Sequence, residues 1–127
     1  MAVPQDFFYS KSHEWVSLDG DVATVGITDF AQSQLSDLTF VELPEVGASF
    51  QQGDEAAVVE SVKAAADVYA PVAGEVIEVN SALEDAPETI NEDAFNAGWL
   101  FKLKIVEESE IDSLLDADSY EEICPQT

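Results

Sequence analysis

Arginine is absent from this chain of 127 residues, and four lysines stand against 27 acidic side chains, for a net charge of −23. That balance argues against nucleic acid as a partner, because phosphate recognition needs clustered cations. Anionic membrane surfaces are disfavoured for the same reason. Histidine and cysteine occur once each, as His13 and Cys124. A metal centre built on imidazole and thiolate therefore has almost no material to draw on. An internal disulfide is impossible, which fits a reducing compartment, and Cys124 reads as a tail residue rather than a catalytic thiol. No apolar run has the length needed to span a bilayer. The opening stretch "MAVPQDFFYSKSHEW" has neither signal-peptide nor transit-peptide patterning. These absences predict a cytoplasmic protein, or a mitochondrial-matrix one if the chain is a processed eukaryotic product.

The hydrophobic share, 46%, is enough for one real core, so a single domain over 1–127 is predicted. Most of the chain reads as short strands between turns. Two β-rich runs flank Asp19-Gly20-Asp21 in 13–28, a hairpin signal. Further runs occupy 38–44, the end of 46–61, and both sides of Pro71 to Gly74 in 66–80. In 98–105 the alternation puts Trp99, Phe101, Leu103 and Ile105 on one face and Leu100, Lys102 and Lys104 on the other. Helical signals are local. Asp29 with Gln32 resembles a capping box opening a short helix to about Leu35. Pro87 suggests a single turn. Ser109 is a candidate N-cap for a helical C-terminus over about 109–123, with Asp116 capping its last part. "GDVATV" at Gly20 and "GEVIEV" at Gly74 share a pattern, a modest sign of pseudo-symmetry. The class is mostly β.

One cation is conspicuous by its setting. In "VVESVKAAADVYAPVAGEV", residues 58–76, Lys63 lies between two strand-like runs joined by only about four residues. So short a connection makes a tight hairpin, with Lys63 at or beside its apex. A lysine at a loop tip is ordinarily a solubilising group, but carboxylates fill that role elsewhere on this chain. A Schiff-base amine would need burial or a nearby cation, and Glu60 and Asp67 favour the charged form instead. An accessible attachment point is the third reading.

"SHEWV" (12–16), "DVATVGITDFAQ" (21–32), "FVELPEVG" (40–47), the lysine segment (58–80) and "NEDAFNAGWLFKLK" (91–104) together resemble the H proteins of the glycine cleavage system, in order and over nearly the whole chain. The resemblance implies a barrel-sandwich hybrid of two antiparallel sheets with a lysine-bearing hairpin, short helices and a helical C-terminus. It also implies lipoic acid in amide linkage to Lys63. Phe30, Ser36 and Phe95-Asn96 depart from residues common in the family: His or Tyr, Gly, and Tyr-Gly respectively. None of them touches the hairpin. Biotin carriers with Met-Lys-Met and lipoyl domains with Asp-Lys-Ala match Val62-Lys63-Ala64 less well and lack the terminal segments.

The resemblance implies a carrier rather than an enzyme. Its partners would be a pyridoxal-phosphate glycine decarboxylase, a tetrahydrofolate-dependent aminomethyltransferase, dihydrolipoyl dehydrogenase and a lipoylating enzyme. The arm would take an aminomethyl group from the first and yield it to the second. A neutral amine one carbon from sulfur expels thiolate, whereas a protonated, hydrogen-bonded one does not. Carboxylates lining a cleft are therefore expected to hold the loaded arm: Glu14 and Asp67, with Ser12 as a third candidate. Each could equally belong to the acidic coat. Glu60 and Ser61 suit recognition by the lipoylating enzyme or simple strand pairing. His13 could titrate near neutrality or be a satisfied surface histidine, and Trp15, Trp99 and Phe101 read as core. An H-like protein relaying lipoyl or octanoyl groups is the alternative within the class, and an unmodified acidic β-domain the alternative outside it.

Overall fold

A computed structural model describes residues 6–123, so Cys124 lies outside the described residues. Among the described residues nine strands form two antiparallel sheets, and no closed barrel is made. The first six strands are β1 (Phe8–Tyr9), β2 (Glu14–Asp19), β3 (Val22–Ile27), β4 (Leu38–Glu42), β5 (Ser49–Phe50) and β6 (Glu55–Ser61). β7 (Ala65–Tyr69), β8 (Gly74–Val79) and β9 (Phe101–Ile105) complete the set. The larger sheet runs β1-β2-β3-β9-β8-β5 and the smaller β4-β6-β7. Their facing side chains, among them Val25, Val41, Val59, Val68, Val76 and Leu103, make the main core.

The predicted hairpin around Gly20 is β2–β3. Asp19 pairs with Val22, and Gly20 takes φ 64° in the two-residue turn. The two echoed segments, β3 and β8, flank β9 in one sheet; Ala23 and Val76 both pair with Leu103. Gly26 lies opposite Trp15, whose indole crosses it so closely that a β-carbon there would sit 2.6 Å from the ring. The indole N–H then donates to the Ala94 carbonyl at 2.8 Å. Trp15, Tyr9, Ala117 and Tyr120 make a second apolar cluster.

Several local expectations shift. The helix α1 (Asp29–Leu35) forms as predicted, but its cap is Thr28, whose hydroxyl accepts from Ala31 N–H at 3.3 Å. Asp29 and Gln32 instead bond to one another at 2.7 Å. A turn not anticipated, α2 (Ala82–Asp85), precedes α3 (Thr89–Glu92), the turn after Pro87. Leu100, assigned to the lysine face of the 98–105 run, is fully buried. It lies before β9 begins, where its N–H donates to the Val25 carbonyl at 2.8 Å. Trp99 is only half-buried and is covered by Lys102, 5.1 Å from its ring. Phe101 and Trp15 are core, as expected.

The helical C-terminus is broken in two. Glu108–Ser113 form a 3₁₀ helix, and α4 (Ala117–Ile123) follows. Glu107, not Ser109, caps the first piece, while Asp116 caps the second through Ser119 N–H at 2.8 Å. The break has a clear cause. Leu115 exchanges two backbone hydrogen bonds with Tyr9, at 2.8 and 2.7 Å, which draws residues 114–115 into extended conformation against β1.

Ser36 ends α1 with φ 69° and ψ −154°, a region that suits glycine alone. Its carbonyl is held by the Asn91 amide at 2.8 Å, and Asn91 also accepts from Leu38 N–H at 2.9 Å. The surrounding bonds thus impose the strain. Replacement by glycine removes a steric cost of about 1–3 kcal/mol and adds about 0.5–1 kcal/mol of chain entropy. Ser36→Gly is expected to raise unfolding free energy by about 1 kcal/mol in urea denaturation.

Candidate functional site

β6 and β7 pair antiparallel from Glu55 opposite Tyr69 to Glu60 opposite Ala65, leaving residues 61–64 as the turn. Ser61 closes that turn. Its N–H donates to the Ala64 carbonyl at 2.7 Å, and its hydroxyl oxygen accepts from Ala64 N–H at 3.1 Å and Lys63 N–H at 3.3 Å. The residue that seemed a candidate for enzyme recognition thus has a structural duty as well. Lys63 is exposed at the apex, as predicted. Among the described residues Lys102 meets Glu78 at 3.6 Å and Lys104 meets Asp21 at 3.4 Å, whereas no carboxylate lies within 4 Å of the Lys63 amine.

At the other end of the same ladder the chain opens on a cleft of about 480 Å³. Tyr69, Ala70 and Pro71 line it with Gln52, Gly53 and Ser113 to Leu115, and the N-terminal segment supplies Tyr9, Ser10, Lys11, Ser12 and Glu14. The walls are tied together. The Gln52 amide donates to the Pro71 carbonyl at 3.0 Å and to the Ser113 hydroxyl at 2.9 Å. The Tyr9–Leu115 bonds anchor the far side.

Glu14 is the chemical feature of this cleft. Its residue is only 1% exposed, yet it carries a carboxylate. One oxygen accepts from the hydroxyls of Ser10 and of Ser12, the latter at 2.5 Å, and the other accepts from Tyr69 N–H at 3.3 Å. Burial pushes its pKa above the ordinary glutamate value, and these three donors oppose that rise only in part. A positive charge brought into the cleft would find the carboxylate already oriented and poorly hydrated, where a charge pair is stronger than in water.

The tight segment carrying these groups is shaped by His13, which adopts φ 72°. His13 N–H donates to the Ser10 carbonyl at 3.1 Å, and Ser10 N–H donates to the Glu14 carbonyl at 2.9 Å. The His13 ring is held from outside by the Tyr120 hydroxyl at 2.7 Å, which also meets the Thr28 hydroxyl at 2.7 Å. Burial keeps the imidazole below the usual histidine range, so it is a satisfied, mainly neutral residue near neutral pH.

Of the residues singled out for holding a loaded arm, Glu14 and Ser12 come together in the cleft. Asp67 stands apart from the lining, on the exposed face of β7, two residues from Tyr69. Ser10, Tyr69, Gln52 and Leu115 were not foreseen. Ser10 alone left a signal, its spacing of four from Glu14 across a short polar turn. Among the described residues no group of three or more His, Cys, Asp or Glu is arranged to hold a metal, and no helix is long and apolar enough to cross a membrane.

The family model described as glycine cleavage H-protein matches residues 7–127. A glycine cleavage system H protein of Thermus thermophilus is 54% identical over 123 residues, covering 97% of this chain and 96% of the relative. One from Escherichia coli is 56% identical over 120 residues, covering 94% and 93%. The crystal structure of a glycine cleavage system H protein from Mycobacterium marinum superposes with a TM-score of 0.85 at 39% identity, over 94% of this chain and 97% of that one.

Because the folded carboxyl titrates above its unfolded value, Glu14 binds its proton more readily in the folded protein. Its burial therefore opposes folding at neutral pH. That penalty disappears as pH falls through the folded pKa and is gone below about 4.5, the ordinary value. Glu14→Gln is expected to be more stable than the parent at pH 7, with the gap closing as pH falls to 4. Thermal melting across that range measures it.

Proposed function

The chain belongs to the glycine cleavage H-protein family, and from that membership we propose that it is a lipoyl carrier, with Lys63 as the attachment residue. It carries an aminomethyl group from a pyridoxal-phosphate glycine decarboxylase to a tetrahydrofolate-dependent aminomethyltransferase, and presents its arm to dihydrolipoyl dehydrogenase for reoxidation. It has no reaction centre of its own. The observation that carries this reading is one antiparallel ladder with an exposed amine at its tip, clear of carboxylates among the described residues, and a cleft holding a buried carboxylate at its base.

The residues present fit the group. Lys63 is reachable from solvent, and Val62, Ala64 and Ala65 around it are exposed and small or apolar. From Ala65 to Tyr69 the strand covers roughly 13 Å, a distance that an extended lysine bearing an acyl chain can fold back across. When attached, the lipoyl dithiolane supplies the thiol–disulfide chemistry by which the aminomethyl group is taken up and released. Tethering keeps that cargo at high effective concentration between successive sites.

The cleft residues protect the cargo. Glu14 accepts a hydrogen bond from a protonated amine and holds that proton on nitrogen, so the lone pair cannot expel the adjacent sulfur. Ser10 and Ser12 keep the Glu14 carboxylate aimed, and the apolar side chains of Leu114 and Leu115 limit access of water. A relay of neutral acyl chains would gain nothing from a buried carboxylate, which favours the glycine-cleavage role over the relay. Asp67, on the path between apex and cleft, is a secondary stabiliser of the cationic cargo as the arm moves.

Intact mass after incubation with a lipoylating enzyme tests the attachment residue: a lipoyl-sized increment is expected for the parent and none for Lys63→Arg. For the protective role, the aminomethyl-loaded protein bearing Glu14→Ala is expected to decay about tenfold faster than the parent. That factor corresponds to a charge-assisted hydrogen bond of about 1.5 kcal/mol. An unchanged lifetime removes Glu14 from the mechanism.

A further inference from the structure

The three-stranded sheet turns its inner residues, Val41 and Val59, into the core. Its outer face is less ordinary. Phe40 lies opposite Glu60, and Glu60 lies opposite Ala65, so the three form one outward row just below the lysine turn. The next row is Glu42, Val58 and Asp67. Phe40 is 49% exposed, and Val62, next to Lys63, is 78% exposed. Two large apolar side chains thus stand in the open beside the apex, bordered by Glu42, Glu60 and Asp67.

We infer that Phe40 and Val62, with this acidic border, are the docking surface for the enzyme that acylates Lys63, and that its matching surface is an apolar pocket rimmed by Lys or Arg. This inference rests on the assignment of Lys63 as the attachment residue. Reach selects this occupant over the other partners. Amide formation requires the bare Lys63 amine, having lost a proton to the enzyme, to attack an activated acyl carbonyl. The C–N bond forms as the bond from that carbon to its leaving group, a carrier thiol or an adenylate phosphate, breaks, and the nitrogen's second proton passes to that leaving group or to solvent. The reactive carbon must therefore come within one side chain's length of the turn, which presses the body of the enzyme against the hairpin and Val62. Partners that meet the acylated protein work at the far end of a much longer arm and need not cover this face. Charge selects the rim: the ionisable side chains in these two rows, Glu42, Glu60 and Asp67, are all carboxylates. Such a border steers a basic surface and repels an acidic one.

The test uses the purified full-length unmodified protein and a lipoylating enzyme with its activated acyl donor. The parent, Phe40→Ser, Val62→Ser and the double variant are compared by steady-state lipoylation. The double variant is expected to raise KM about tenfold with kcat retained, as loss of a buried apolar anchor does. Parent KM is expected to rise with added salt. Melting temperature, and the rate at which acetic anhydride acetylates Lys63, are expected to stay at the parent's level, which separates lost docking from a damaged hairpin. Val62→Ser, lying in the turn, keeps the test valid if Phe40→Ser disturbs β4. An unchanged KM, a fall confined to kcat, or a salt-independent KM overturns the inference. It is also overturned if the lipoylated variants lose affinity for the glycine decarboxylase while lipoylation is unaffected. Lipoylation of Lys63→Arg would instead overturn the attachment residue, a separate failure.

Discussion

Hydrogen bonds between β6 and β7 tie together the exposed Lys63 turn and the cleft that holds Glu14. At one end the ladder closes on Ser61, whose backbone and hydroxyl both bind the turn, so the apex is a defined corner rather than a loose loop. At the other end Tyr69 offers its N–H to Glu14. The strand rises about 3.3 Å per residue, so the backbone of the turn and that of Tyr69 are held at a set separation. For a group tethered at Lys63, as proposed, the ladder fixes how far the turn stands from the cleft.

The two kinds of acid on this molecule differ physically. Most of the 27 acidic side chains belong to a surface coat, where water screens each charge and those that are engaged cap turns or meet a lysine. Glu14 is withdrawn behind Tyr9, Tyr69 and Leu115, its oxygens committed to two hydroxyls and a backbone amide. Its burial costs stability in the absence of a cation. Two of the four lysines, Lys102 and Lys104, meet Glu78 and Asp21 from β9, while among the described residues neither Lys11 nor Lys63 has a carboxylate within 4 Å.

Holding the cleft open falls to the C-terminal segment. The Tyr9–Leu115 exchange interrupts what the periodicity suggested as a helical stretch, and the interruption forms the cleft's far wall. Tyr120 then fastens α4 to the turn carrying Ser10, Ser12 and Glu14 by way of His13 and Thr28. Apolar contact and hydrogen bonding cooperate here, since Tyr9 and Tyr120 also stack with ring centroids 4.7 Å apart.

Short-range rules decided much of this before any packing was known. The hairpin at Gly20, the bend at Lys63, the alternation within β9 and the short helix near Asp29 were legible because each depends on residues within a few positions of one another. Local reading faltered where a distant partner outbid a local preference: Thr28 displaced Asp29 as cap, Leu100 was pulled inward by Val25, and Leu115 left the helix for Tyr9. The cleft lay beyond reach for the same reason. Glu14 and Tyr69 are 55 positions apart, and His13 and Tyr120 are 107 apart. The sequence by itself determined that a free amine would stand at a tight turn, because four residues between paired strands allow no other course. Only the tertiary structure decided that Glu14 rather than Asp67 would line the cleft, because burial is set by what the rest of the chain lays over a residue.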